Sequence, residues 1–144
     1  MPNKPVLSPE DKLVIKQKLL QLCEDFWIAQ GYKKTSIKAL CSEAKISIGT
    51  FYVLFATKEQ LFLETAQTIQ SRLTERFKET VLQTPNRMGL SKALKKLARE
   101  FDHNPFLYDV NSVDFRAFVT KLSTEEIETI KFESMSFFKE VCQI

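Results

Sequence analysis

Glycine, proline and cysteine are all scarce in this chain, and each shortage narrows what it can be. Only three of the 144 residues are glycine (Gly31, Gly49 and Gly89), and no proline falls between Pro9 and Pro85. No Asn-Gly or Asp-Gly hairpin signal occurs, and no sustained period-2 alternation marks a strand, although the twelve phenylalanines would suit one. The expected fold class is therefore all-α. Cys23, Cys41 and Cys142 are odd in number, far apart and match no metal-ligand spacing, so they are expected to be reduced thiols in a cytoplasmic protein. His103 is the only histidine. With no metal-ligand cluster and no glycine-rich phosphate loop, neither catalytic residues nor a metal nor a cofactor is expected, and an enzyme is disfavoured. No apolar run approaches the ~20 residues of a membrane span, and the segment from Met1 to Pro5 lacks the apolar stretch of a signal peptide.

What is present is a balanced composition, 44% hydrophobic and 27% charged. That suits one compact domain, or one with a small appended module. A chain of this size buries roughly 68–70% of its unfolded surface. Charge is unevenly placed. The whole formal net charge of +3 lies in residues 1–60, and residues 61–144 balance. Within residues 31–58, Lys33, Lys34, Lys38, Lys45 and Lys58 face only Glu43. Such a segment suits an anionic partner, although a solvated lysine face is the commoner origin of a charge run.

Helix signals follow one another along the chain. Ser8-Pro9-Glu10-Asp11 supplies an N-cap, a proline at the first helical position and acids for the positive dipole end. Ile15, Leu19, Leu22, Cys23 and Phe26 then share one face, and Gly31 is the expected left-handed stop. Thr35 is the candidate cap of a second, shorter helix with Ile37, Leu40, Cys41 and Ala44 on its face. After the turn Lys45-Ile46-Ser47, Ser47 can cap a third helix, with Ile46 spaced to staple against Phe51. A long helix followed by two short ones across a tight turn is a helix-turn-helix arrangement. Thr57 and Gln60 form a capping box for a fourth helix carrying Phe62, Ala66, Ile69, Leu73 and Phe77, bounded by Pro85. A fifth, Met88 to Phe101, presents Leu90, Leu94, Leu97, Ala98 and Phe101. Asn104-Pro105 begins a short turn, Ser112 caps a segment through Leu122, and Ser123 to Glu126 is a further capping box. Behind it Ile127, Ile130, Ser134, Phe137, Phe138 and Val141 form a stripe still running at Ile144.

From Thr35 to Leu61 the chain reads TSIKALCSEAKISIGTFYVLFATKEQL. This stretch closely resembles the DNA-binding signature of the tetracycline-repressor (TetR) family of transcriptional regulators, through Thr35, Ile37, Leu40, Ala44, Ile46, Ser47, Gly49, Thr50, Phe51, Tyr52, Phe55, Lys58, Glu59 and Leu61. A helix entering the major groove needs slim or polar residues at its start, which Ser47, Gly49 and Thr50 provide. Tyr52 offers a hydroxyl on a rigid side chain, while Phe51 and Phe55 belong to the core. The resemblance implies that Thr35 and Lys58 clamp the phosphate backbone on either side of the groove. Lys45 stands where family members usually carry glycine, and can add a phosphate contact. Ile48, Val53 and Leu54 leave few hydrogen-bonding groups, so readout is expected through thymine methyls and DNA shape. The expected DNA-binding set is Thr35, Lys45, Ser47, Ile48, Gly49, Thr50, Tyr52 and Lys58, with Lys34 a weaker candidate. Capping alone also accounts for Thr35, Ser47 and Thr57.

The expected division is a helix-turn-helix domain over 8–56 and a helical regulatory and dimerisation domain over 57–144. The resemblance implies a small ligand held among the later helices and a homodimer formed by the last ones. Core packing accounts for most of the aromatics there. Any pocket would draw on Phe77, Phe101, Phe106, Tyr108, Phe115 and Phe118, which favours an apolar or aromatic ligand. The expected function is a ligand-responsive repressor on a near-palindromic operator. The competing reading is a helical ligand-binding or adaptor protein that does not bind DNA. Family members are usually longer, and this chain is expected to be a truncated or short relative whose dimer rests on the helix from Thr124 onward.

Overall fold

The structure is a computed structural model, and it describes residues 7–142. Among these residues there are eight helices and no strand: α1 (Pro9–Gln30), α2 (Ile37–Ala44), α3 (Ile48–Leu54), α4 (Lys58–Gln83), α5 (Arg87–His103), α6 (Pro105–Tyr108), α7 (Val113–Thr120) and α8 (Thr124–Cys142). No helix is long and apolar enough to cross a membrane.

Local chemistry sets most boundaries. Ser8 and Asp11 exchange reciprocal hydrogen bonds at the start of α1 (3.1 and 3.3 Å). Gly31 ends α1 with a positive φ of +85°, but its ψ of 176° puts it outside the left-handed helical well expected. A Cβ there would lie 2.7 Å from Asp114 and 2.8 Å from Phe106, so close approach as well as φ demands glycine. The cap of α2 is Ser36, not Thr35, because Ser36 accepts from the Ala39 N–H (3.1 Å). The box at α4 is also displaced. Thr57 accepts from Gln60 N–H (3.0 Å), but the Gln60 side chain reaches past Thr57 to the Ala56 N–H (2.7 Å). Ser123 and Glu126 do form the expected reciprocal pair (3.1 and 3.0 Å).

One core joins the N-terminal helices to α6, α7 and the start of α8. Leu19, Cys23, Trp27, Leu40, Phe51, Phe55, Leu61, Phe62, Leu107, Phe118 and Leu122 are buried together. Trp27 anchors it, with ring centroids 4.8 Å from Phe62 and 5.3 Å from Phe118. Fully burying each such ring contributes about 1.5–3 kcal/mol. Packing therefore does not divide at residues 56 and 57, although the chain does change from short to long helices there. A second, smaller cluster of Phe77, Val81 and Ala93, with Leu97 against it, holds α5 on α4.

Two expected stripes are placed differently. On α5 the inward row is Gly89, Ala93 and Leu97, while Leu90, Leu94, Ala98 and Phe101 are exposed. The small residues win the contact because they let the α5 backbone approach α4; a Cβ on Gly89 would collide with the Thr84 carbonyl. On α8, Ile127 and Ile130 pack against the protein's own core, whereas the side chains of Ser134, Phe137, Phe138 and Val141 lie outside the described residues.

Candidate nucleic-acid interface

The turn between α2 and α3 sets the geometry of the site. Lys45 adopts the left-handed conformation (φ 58°, ψ 44°) in the place where the resemblance leads one to expect glycine. The Ile46 N–H returns to the Cys41 carbonyl (3.0 Å) and the Lys45 N–H to Ser42 (3.2 Å), which satisfies the carbonyls that end α2. A non-glycine residue in this conformation carries a cost of the order of 1 kcal/mol, offset here by the two bonds. The Lys45 side chain is exposed. Ile46 is half-buried against the same core that holds Phe51, as the staple spacing predicts.

Beyond the turn, α3 turns one face inward and one outward. Phe51 and Phe55 are fully buried, with rings 5.7 Å apart. Ile48, Tyr52 and Val53 are 48%, 53% and 61% exposed. Gly49 lies on the same outward face. A Cβ there would make only ordinary contact with Ser47 Oγ at 3.7 Å, so nothing in the chain itself requires glycine at this position. Ser47 Oγ accepts from the Thr50 N–H (3.0 Å) and pairs with the Thr50 hydroxyl (2.9 Å), so capping fully accounts for it. Val53 is the outward residue missing from the set expected from sequence. The spacing 48, 49, 52, 53 marks it as part of one helical face. Lys33, Lys34 and Lys38 are exposed nearby.

Thr35 and Lys58 are not where a phosphate clamp would place them. Thr35 is buried and its hydroxyl donates to the Gly31 carbonyl (2.8 Å), tying the α1–α2 corner together. Lys58 is turned inward: its ammonium lies 4.1 Å from the Tyr32 ring centre and donates to the Tyr32 carbonyl (2.8 Å). Burial pulls its pKa below the ordinary value, against the opposing pull of Glu59 and Asp114. The Tyr32 hydroxyl donates to Glu59; burial and that carboxylate push the Tyr32 pKa upward.

The aromatics expected to line a ligand pocket do not converge. Phe118 is in the core, Phe115 packs half-buried beside Trp27, and Phe101 stacks on Tyr108 with ring centres 4.7 Å apart. Phe106 is at the surface, by Gly31. Phe77 alone of the six lines a groove of about 430 Å³ between α4 and α5. Its floor is apolar, through Leu73, Phe77 and Leu97, but Arg76, Lys96, Arg99 and Glu100 give it a charged rim. Among the described residues no group of acids, histidines or cysteines could hold a metal.

What the N-terminal helices offer is thus a short helix with a bare, partly apolar face, set on a left-handed turn and flanked by lysines. That is the form of a helix-turn-helix reader of duplex DNA. Residues 20–65 match the family described as bacterial regulatory proteins, tetR family. A comparison with curated proteins gives no match. The match spans the end of α1, the whole of α2 and α3 and the start of α4, so this segment is a DNA-binding domain of the tetR type, the mark of a DNA-binding transcriptional regulator.

Proposed function

We propose that the chain is a repressor that grips a near-palindromic operator as a homodimer and releases it when a small molecule binds among the later helices. The observation that carries the DNA side is the outward face of α3: Ile48, Tyr52 and Val53 are about half or more exposed, and no contact within the chain requires glycine at Gly49. A groove-reading helix needs this combination of an absent side chain, apolar contacts for thymine methyls and one rigid hydroxyl. Lys45, Ser47, Thr50 and the exposed Lys33, Lys34 and Lys38 surround it as phosphate partners. The ligand side rests on the groove between α4 and α5. Its charged rim over an apolar floor favours an amphipathic molecule over the purely apolar one expected from composition. The dimer rests on α8, where Phe132 and Met135 are 72% and 61% exposed.

The decisive experiment is binding to duplex DNA from the promoter beside the chain's own gene, repeated over a salt series. The expected result is a preferred segment with dyad symmetry and an affinity that falls linearly on a log–log salt plot. Binding without sequence preference, or none at all, would leave the adaptor reading in its place.

A further inference from the structure

The corner between α1 and α2 is held by a residue from outside the matched domain. The Asp114 carboxylate, on α7, accepts from the Tyr32 N–H (2.7 Å) and the Lys33 N–H (2.9 Å) across more than eighty residues of sequence. The next group along, the Tyr32 carbonyl, accepts from Lys58 at the start of α4. The Tyr32 peptide is therefore gripped on one side from α7 and on the other from α4. Gly31 is the condition for this approach, since a Cβ there would overlap Asp114 and Phe106.

The corner leads directly into α2. Lys33 and Lys34 stand on it at the surface, and Thr35 and Ser36 fix where α2 begins. A shift of this corner changes how α2 and α3 are set against α1, and with them how the α3 face meets a groove. Charge-assisted bonds from a carboxylate to two successive amides are short and directional, so they fix position more sharply than apolar packing does.

We propose that Asp114 is a positioning residue for DNA binding. Through it, α7 holds the α1–α2 corner in the register at which α3 reads DNA, and a displacement of α6 and α7 is passed to the reader through the Tyr32 and Lys33 amides. The inference rests on the operator reading above and adds the residue that links the later helices to it.

The test uses the full chain and Asp114→Asn, Asp114→Ala and, as a control on the same helix, Val113→Ala, whose side chain is exposed. The probes are the duplex that the wild type enriches from a random library and an unselected duplex of equal length. The expected result is a loss of about tenfold on the selected duplex for both Asp114 variants, the scale of one charge-assisted bond. The unselected duplex and Val113→Ala should stay within about twofold, because a merely destabilised chain would lose both duplexes alike. Amide exchange should quicken at Tyr32 and Lys33 and stay unchanged in α3. Equal affinity in a folded Asp114→Asn, or unchanged exchange at the two amides, overturns the proposal alone. A wild type that enriches no duplex overturns the operator reading and the proposal with it.

Discussion

At the scale of single residues, exposure and engagement separate the side chains that face outward from those that hold the fold. Tyr52 is half-exposed, and its ring meets Phe51 edge-on at 5.4 Å. Tyr52→Ala should change stability by no more than about 0.5 kcal/mol, as exposed substitutions do, and should weaken operator binding. A thermal melt and a binding titration check this, and a large drop in melting temperature would show a buried ring. Lys58 should behave in the opposite way. Its ammonium caps a carbonyl and lies over an aromatic face, so Lys58→Ala should cost about 1–2 kcal/mol of stability. Since the amine is already engaged within the chain, the slope of affinity against salt should stay unchanged. A slope reduced by about one would instead place Lys58 on a phosphate, as the resemblance implies.

At the scale of elements, α1 and α4 are joined by two charged pairs, Lys16 with Glu64 (3.0 Å) and a more buried staple of Glu24 with Arg72. Glu24 on α1 is buried, and Arg72 on α4 meets both of its carboxylate oxygens. The pairing raises the Arg72 pKa. Removing the arginine would strand a buried carboxylate. Arg72→Met should therefore cost about 2 kcal/mol, below the figure for a fully enclosed pair because the guanidinium is partly exposed. Urea denaturation of the variant measures it, and a loss under about 0.5 kcal/mol would mean that Glu24 finds water instead. The staple escapes a reading of hydrophobic stripes, since neither residue belongs to one. The α5 inversion has a similar origin. Leu90, Leu94 and Phe101 form the stronger apolar row, yet Gly89 and Ala93 take the contact because closeness to α4, not hydrophobicity, decides which face turns inward.

At the scale of the whole molecule, two recognition helices can read one operator only if a dimer holds them about 34–36 Å apart, or a multiple of that. Ile127 and Ile130 face the protein's own core, and among the described side chains of α8 Phe132 and Met135 are the large apolar ones that face outward. Sedimentation over a concentration series should show a monomer–dimer equilibrium, and Phe132→Glu with Met135→Glu should shift it to monomer with little change in melting temperature. A wild type that stays monomeric at high micromolar concentration would sink the dimer.

Sequence by itself determined the helices and most of their starts, though not the Ser36 cap of α2, together with the buried pair Phe51 and Phe55 and the DNA-reading signature, because caps, periodicity and a fixed-spacing motif are local properties. It also marked Lys45 as the unusual turn residue, standing where the resemblance leads one to expect glycine, and the structure supplied its positive φ. Only the tertiary structure decided that Thr35 and Lys58 turn inward, that the α5 leucines face out, that the pocket aromatics disperse, and that Asp114 reaches the α1–α2 corner. Each of these depends on which surfaces meet across long stretches of chain. A cap reads the same in sequence whether its hydroxyl faces solvent or a neighbouring carbonyl, and a leucine stripe does not say which of two helices will come close enough to cover it.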